Sequence, residues 1–81
     1  MVASEQISAA RALLRLSVAD LAKASGVGVA TIKRIEAADG LPSANTRTLD
    51  ALSRALQALG IEFIGGPNDA PGLRLHKSLQ K

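Results

Sequence analysis

An 81-residue chain of formal charge +3 is one domain, short enough that every apolar helix face is needed for its core. It has no cysteine, one histidine and one aromatic residue, which argues against a disulfide framework, a thiolate metal site and a ring platform for single-stranded bases. No cluster of His, Cys or carboxylates has catalytic or ligand spacing, so no enzyme activity, metal, cofactor or small-molecule ligand is expected. The amino terminus has no signal pattern and no apolar run approaches the ~18–20 residues that cross a bilayer, so the expectation is a soluble, cytoplasmic protein without a membrane role.

Helical spacing dominates as far as Gly60. The first helix is predicted over residues 5–14 with Ser4 as its cap, and Ile7, Ala10, Leu13 and Leu14 form its apolar stripe. Ser17 is a good cap for a second helix, 18–25, with Leu21 and Ala22 inward and Asp20 in the first turn where the dipole favours an anion. Gly26 suits a left-handed helix end and Val27 plugs the turn. A third helix, 29–37, has Ile32 and Ile35 as its core face, and residues 39–43 read as a loop. The fourth helix, 46–60, buries Leu49, Leu52, Ala55, Leu56 and Leu59, and places Arg54 one turn after Asp50 as a simple ion pair.

After Gly60 the period changes to two. Residues 61–64 and 73–76 read as strands around a Gly- and Pro-rich loop, a β-hairpin with His76 exposed at its end. The loop glycines have no phosphate-binding Gly-Lys-Ser/Thr signature. Two strands alone are marginal in water, so they pack on the helices or pair with another chain. Residues 1–60 are therefore expected to form the helical part, with the motif at about 17–37, and residues 61–81 an extension of the same domain.

The segment from Ser17 to Glu36 has two short helices, a glycine turn between them and inward positions at Leu21, Ala22, Val27, Ile32 and Ile35. In these residues the chain resembles the lambda-repressor-like (Cro/C1, or XRE) helix-turn-helix family over roughly residues 7–59. The resemblance implies a mainly α, four-helix domain, here with a small C-terminal hairpin, acting as a sequence-specific transcriptional regulator on double-stranded DNA. It implies that the third helix enters the major groove with Val29, Ala30, Lys33 and Arg34 toward base edges and Thr31 at the groove's rim. Thr46 and Arg47, opening the fourth helix, would hold a phosphate. Arg11 and Glu36 match a structural ion pair between the first and third helices.

Four positions depart from the family's pattern. Val18 stands where a polar phosphate contact is usual, Val29 and Ala30 where polar base readers are usual, and Asp39 adds a negative charge to a loop that is commonly basic. Two readings follow. In one, Val29 and Ala30 touch thymine methyls while Arg34 bridges guanine O6 and N7. In the other, Val18, Val29 and Ala30 form an apolar patch edged by Lys33 and Arg34, which binds and blocks a protein partner such as a transcriptional activator. Relatives of this kind usually bind as homodimers to half-sites about 34 Å apart. Ile61, Phe63, Ile64, Leu73 and Leu75 of the hairpin are the candidates for joining two subunits, beside simple pairing of the strands within one chain.

Overall fold

Local stop signals divide the alanine- and leucine-rich stretch into four helices. The computed structural model describes residues 2–38 and 44–77, with α1 (Ser4–Leu13), α2 (Val18–Ser25), α3 (Val29–Ala37), α4 (Thr46–Ala58), β1 (Ile61–Ile64) and β2 (Gly72–Leu75) in chain order. The architecture is mainly α with a small antiparallel hairpin after the helices. The loop predicted at 39–43, Asp39 included, lies outside the described residues.

The start of α1 differs from the expectation by one residue. Its cap is Ala3, because Gln6, three positions on, turns its Oε1 back to accept the Ala3 N–H at 2.7 Å. Ser4 is therefore inside the helix, and its hydroxyl is fully buried with no hydrogen-bond partner. A desolvated, unpaired hydroxyl is destabilising, and alanine is also the better helix former. Ser4→Ala is expected to raise stability by about 1 kcal/mol, read as an upward shift of roughly 4–8 °C in the thermal midpoint. A fall in midpoint would show that the hydroxyl has a partner after all.

The buried residues of α1 are Ser4, Gln6, Ile7 and Ala10, with Ala3 buried at its cap. Leu13, expected inside, is 46% exposed, and Leu14 is half-buried against the core. The helix stops there because Arg15 takes a left-handed conformation (φ 59°), uncommon for a residue with a side chain. α2 and α3 have the predicted bounds. α4 ends at Ala58, two residues early: Leu59 caps it, and Gly60, at φ 106°, turns the chain into β1. Leu49, Leu52 and Leu56 of α4 are buried as expected; Ala55 and Leu59 are only half-buried.

The core gathers Ile7 and Ala10 of α1, Leu21 of α2, Ile32 and Ile35 of α3, the three buried leucines of α4, and Ile61 of β1. The hairpin closes one side of it. Ile61 pairs with Leu75, Glu62 with Arg74, Phe63 with Leu73 and Ile64 with Gly72, so β2 begins one residue earlier than predicted and excludes His76. Alternation turns Phe63, Leu73 and Leu75 toward the helices and leaves Glu62 and Arg74 outside. The Gln6 amide fastens the hairpin's loop end, donating from Nε2 to the carbonyls of Ile64 at 2.9 Å and Gly72 at 3.0 Å.

His76, read from sequence as simply exposed, has a partner. Its Nε2 lies 2.6 Å from Glu62 Oε1, which also accepts from Arg74 at 3.3 Å. The hydrogen bond to His76 and the charge of Arg74 hold the Glu62 carboxyl below its ordinary range. A depressed carboxylate contributes stability above its unfolded value and loses it as the pH falls. The cluster is open to solvent, so screening keeps that contribution small.

Candidate nucleic-acid interface

Capping and a single turn orient the helix predicted to meet DNA. Ser17 Oγ accepts the Asp20 N–H and Asp20 Oδ2 accepts the Ser17 N–H, each at 3.0 Å, so α2 begins on a reciprocal capping box. These bonds to Ser17 hold the Asp20 carboxyl below its usual range. α2 ends at Gly26 in the left-handed region (φ 76°). Ser25 Oγ then donates to the Leu21 carbonyl at 2.7 Å and accepts the Val27 N–H at 3.2 Å, which stiffens the turn while Val27 packs on the core.

α3 starts at Gly28, which caps it without a side chain. Ile32 and Ile35 point into the core, and the arc opposite carries Val29, Ala30, Lys33 and Arg34, all exposed; Thr31 is half-buried beside them. Val29, at 38% exposed, is a large apolar side chain left in solvent. Val18, the other apolar position questioned from sequence, is half-buried and packs on the core instead of joining that surface. Thr46 and Arg47 are exposed in the first turn of α4, where Asn45 Oδ1 accepts the Thr48 N–H at 2.8 Å. The first amides of any helix lack intrahelical partners and favour an anion.

Arg11 ties this arrangement together. Its Nε and Nη2 donate to the two oxygens of Glu36 at 2.9 and 3.0 Å, and its Nη1 donates to the Leu16 carbonyl at 2.9 Å. One guanidinium thus joins α1, the α1–α2 turn and the far end of α3. The Glu36 hydrogen bond, more than its charge, shifts Arg11 further toward the charged form. The bond to Leu16 and the role of Gln6 were not foreseen from sequence. Gln6 had one signal: it is a polar residue lying on the 3-6-7-10 stripe of an otherwise apolar helix face.

The charge distribution is uneven. Arg11, Arg54 and Arg74 are paired with Glu36, Asp50 and Glu62, the second of these being the i, i+4 pair expected on α4. Arg15, Lys23, Lys33, Arg34 and Arg47 are exposed and have no ion pair among the described residues. In the chain these cations extend from the α1–α2 turn through α3 to the start of α4; Lys77, after the hairpin, is exposed and without an ion pair among the described residues as well. Of the hairpin residues considered for subunit contact, Ile61 is buried in the core and Leu73 and Leu75 pack against it, whereas Ile64 is 40% exposed and Phe63 half-buried.

Among the described residues, no group of His, Cys, Asp or Glu is placed to hold a metal ion, and no helix is long and apolar enough to cross a membrane. Comparison with curated proteins and with solved structures returns no match. The sequence model of the helix-turn-helix family matches residues 7–64, from α1 through β1. The chain belongs to that family, of the Cro/C1 (XRE) type, whose members are DNA-binding regulatory domains and not enzymes.

Proposed function

We propose that the protein is a sequence-specific transcriptional regulator that lays α3 in the major groove of double-stranded DNA and binds as a homodimer. The observation that carries this reading is the run of unpaired cations, Arg15 to Arg47, along the motif, while the described arginines elsewhere are neutralised by the fold's own carboxylates. Arg34 reads a guanine through O6 and N7, Val29 and Ala30 meet thymine methyls, and Lys33 and Thr31 line the groove. Thr46 and Arg47 hold the backbone. The helical part (1–60) and the extension (61–81) act as one domain, a reading supported by the packing of the hairpin on the helical core.

Arg34→Ala is expected to cost about 1–3 kcal/mol on the preferred site and to relax preference at one base pair. Arg47→Ala should weaken every sequence alike and reduce the salt slope by about one. Binding curves on the preferred site and on single-base variants, repeated across salt concentrations, separate the two. The site itself comes from retention of fragmented genomic DNA at low and physiological salt. Enrichment of a short palindrome supports the reading, and retention lost entirely as salt rises counts against it.

The exposed Val29 favours one alternative, in which the same face captures and inhibits a transcriptional activator. With Val18 packed inward that patch shrinks to Val29 and Ala30, which suits thymine contact better than a protein interface. Val29→Asp abolishing capture of a protein, with DNA affinity indifferent to Arg34 and Arg47, would reverse the preference.

A further inference from the structure

Arg15 is the one described residue other than glycine with a positive φ, 59°. It stands in a complete left-handed stop at the end of α1. Its own N–H reaches the Ala12 carbonyl at 3.0 Å, the Leu16 N–H reaches the Arg11 carbonyl at 3.0 Å, and Leu16 packs against the core. Glycine is the residue suited to that position, because a Cβ there crowds the backbone. The arginine side chain is exposed and has no hydrogen bond or ion pair among the described residues to offset the strain. Strained residues without a compensating contact cluster at binding sites.

The turn that carries Arg15 is fixed against α3. The Arg11 guanidinium holds the Leu16 carbonyl at 2.9 Å and the Glu36 carboxylate at 2.9 and 3.0 Å. The residue after Arg15 therefore sits beside the last turn of the helix assigned to the groove. A helix with its side chains fills a groove about 12 Å wide, so an element packed beside it meets the bordering phosphates. The start of α2, next in the chain, offers those phosphates little. Ser17 and Asp20 take up each other's backbone N–H groups, Asp20 adds an exposed carboxylate there, and Val18 packs on the core. Arg15 is the exposed cation of this turn, as Arg47 is of the first turn of α4.

We propose that Arg15 contacts the DNA backbone, its guanidinium donating to a phosphate beside the last turn of α3, and that the domain gives up stability to place it there. Resting on the groove-binding reading above, this contact extends the DNA-facing surface back to the α1–α2 turn. As a phosphate contact it adds affinity for every sequence and carries no base preference.

Arg15→Gly distinguishes this contact from a structural role, because its two readouts move in opposite directions. The thermal midpoint is expected to rise by about 4 °C as the left-handed strain is removed. Affinity for the enriched DNA site and for unrelated DNA should fall alike, by about three- to tenfold at physiological salt, with the salt slope reduced by about one. Arg15→Lys should keep the slope and most of the affinity. Lys77→Ala, which removes an exposed cation after the hairpin, should leave both as they are. Unchanged DNA affinity and slope in Arg15→Gly would overturn the proposal. An equal loss in Lys77→Ala would overturn it too, since only total charge would then matter, and so would a lowered midpoint, since the side chain would then serve the fold. Band-shift titrations of Arg34→Ala and Arg47→Ala on the same DNA keep the two questions apart. If those variants lose affinity and Arg15→Gly does not, the contact fails and the regulator reading stands; if none of the three loses affinity, both fail.

Discussion

Glu36→Ala is expected to lower the thermal midpoint of the domain by about 10–20 °C. The side chain removed is 11% exposed and takes two hydrogen bonds from Arg11, itself only 24% exposed. What remains is a guanidinium anchored to the Leu16 carbonyl alone, its charge partly desolvated and unpaired. Breaking one side of a fully buried pair costs roughly 3–5 kcal/mol, and partial exposure brings the expected figure here to about 2–3 kcal/mol. That is a large share of the total stability of a domain this size. Replacing both partners with apolar side chains of similar volume (Arg11→Met with Glu36→Leu) should recover much of the loss, because the penalty lies in the orphaned charge. Denaturant unfolding of the two singles and the double gives the coupling. A cost under about 0.5 kcal/mol for Glu36→Ala would place the pair among ordinary surface bridges.

Gly60→Ala should cost about 3 kcal/mol, against about 1 kcal/mol for Gly26→Ala. Both glycines hold positive φ, 106° and 76°, where a side chain is strained. Their surroundings differ. A Cβ on Gly26 meets open space, whereas one on Gly60 would lie 2.7 Å from the His76 carbonyl oxygen, a backbone atom that cannot rotate away. Gly60 also accepts the His76 N–H at 2.7 Å, so a shift there disturbs the joint between α4 and the hairpin. Equal costs for the two substitutions, by chemical denaturation with unchanged slope, would mean that backbone strain alone matters at both sites.

The helix-turn-helix was legible because its signals are local. Ser17 and Gly26 bound α2, Gly28 precedes α3, and Ile32 and Ile35 are spaced for one face; each of these acts within a turn or two of chain. The Arg11–Glu36 pair, 25 residues apart, came from the family pattern and not from any local signal. Where pattern reading slipped, a distant contact had changed the outcome. Ser4 is a better cap than Ala3 by propensity, yet Gln6 begins the helix earlier with an amide that also holds the carbonyls of Ile64 and Gly72.

By itself, then, the sequence determined four helices, the turn between α2 and α3, Ile32 and Ile35 as the inward face of α3, and the presence of a terminal hairpin. These follow from capping, periodicity and glycine conformation, which depend on neighbours a few residues away. Only the tertiary structure decided which cations stay unpaired, that Val18 packs against the core, that Leu13 is left exposed, and that Phe63 opens into a cleft along α4. Each of those depends on which surfaces meet when helices and hairpin close on one another, and that information is carried by packing across the chain, not by spacing along it.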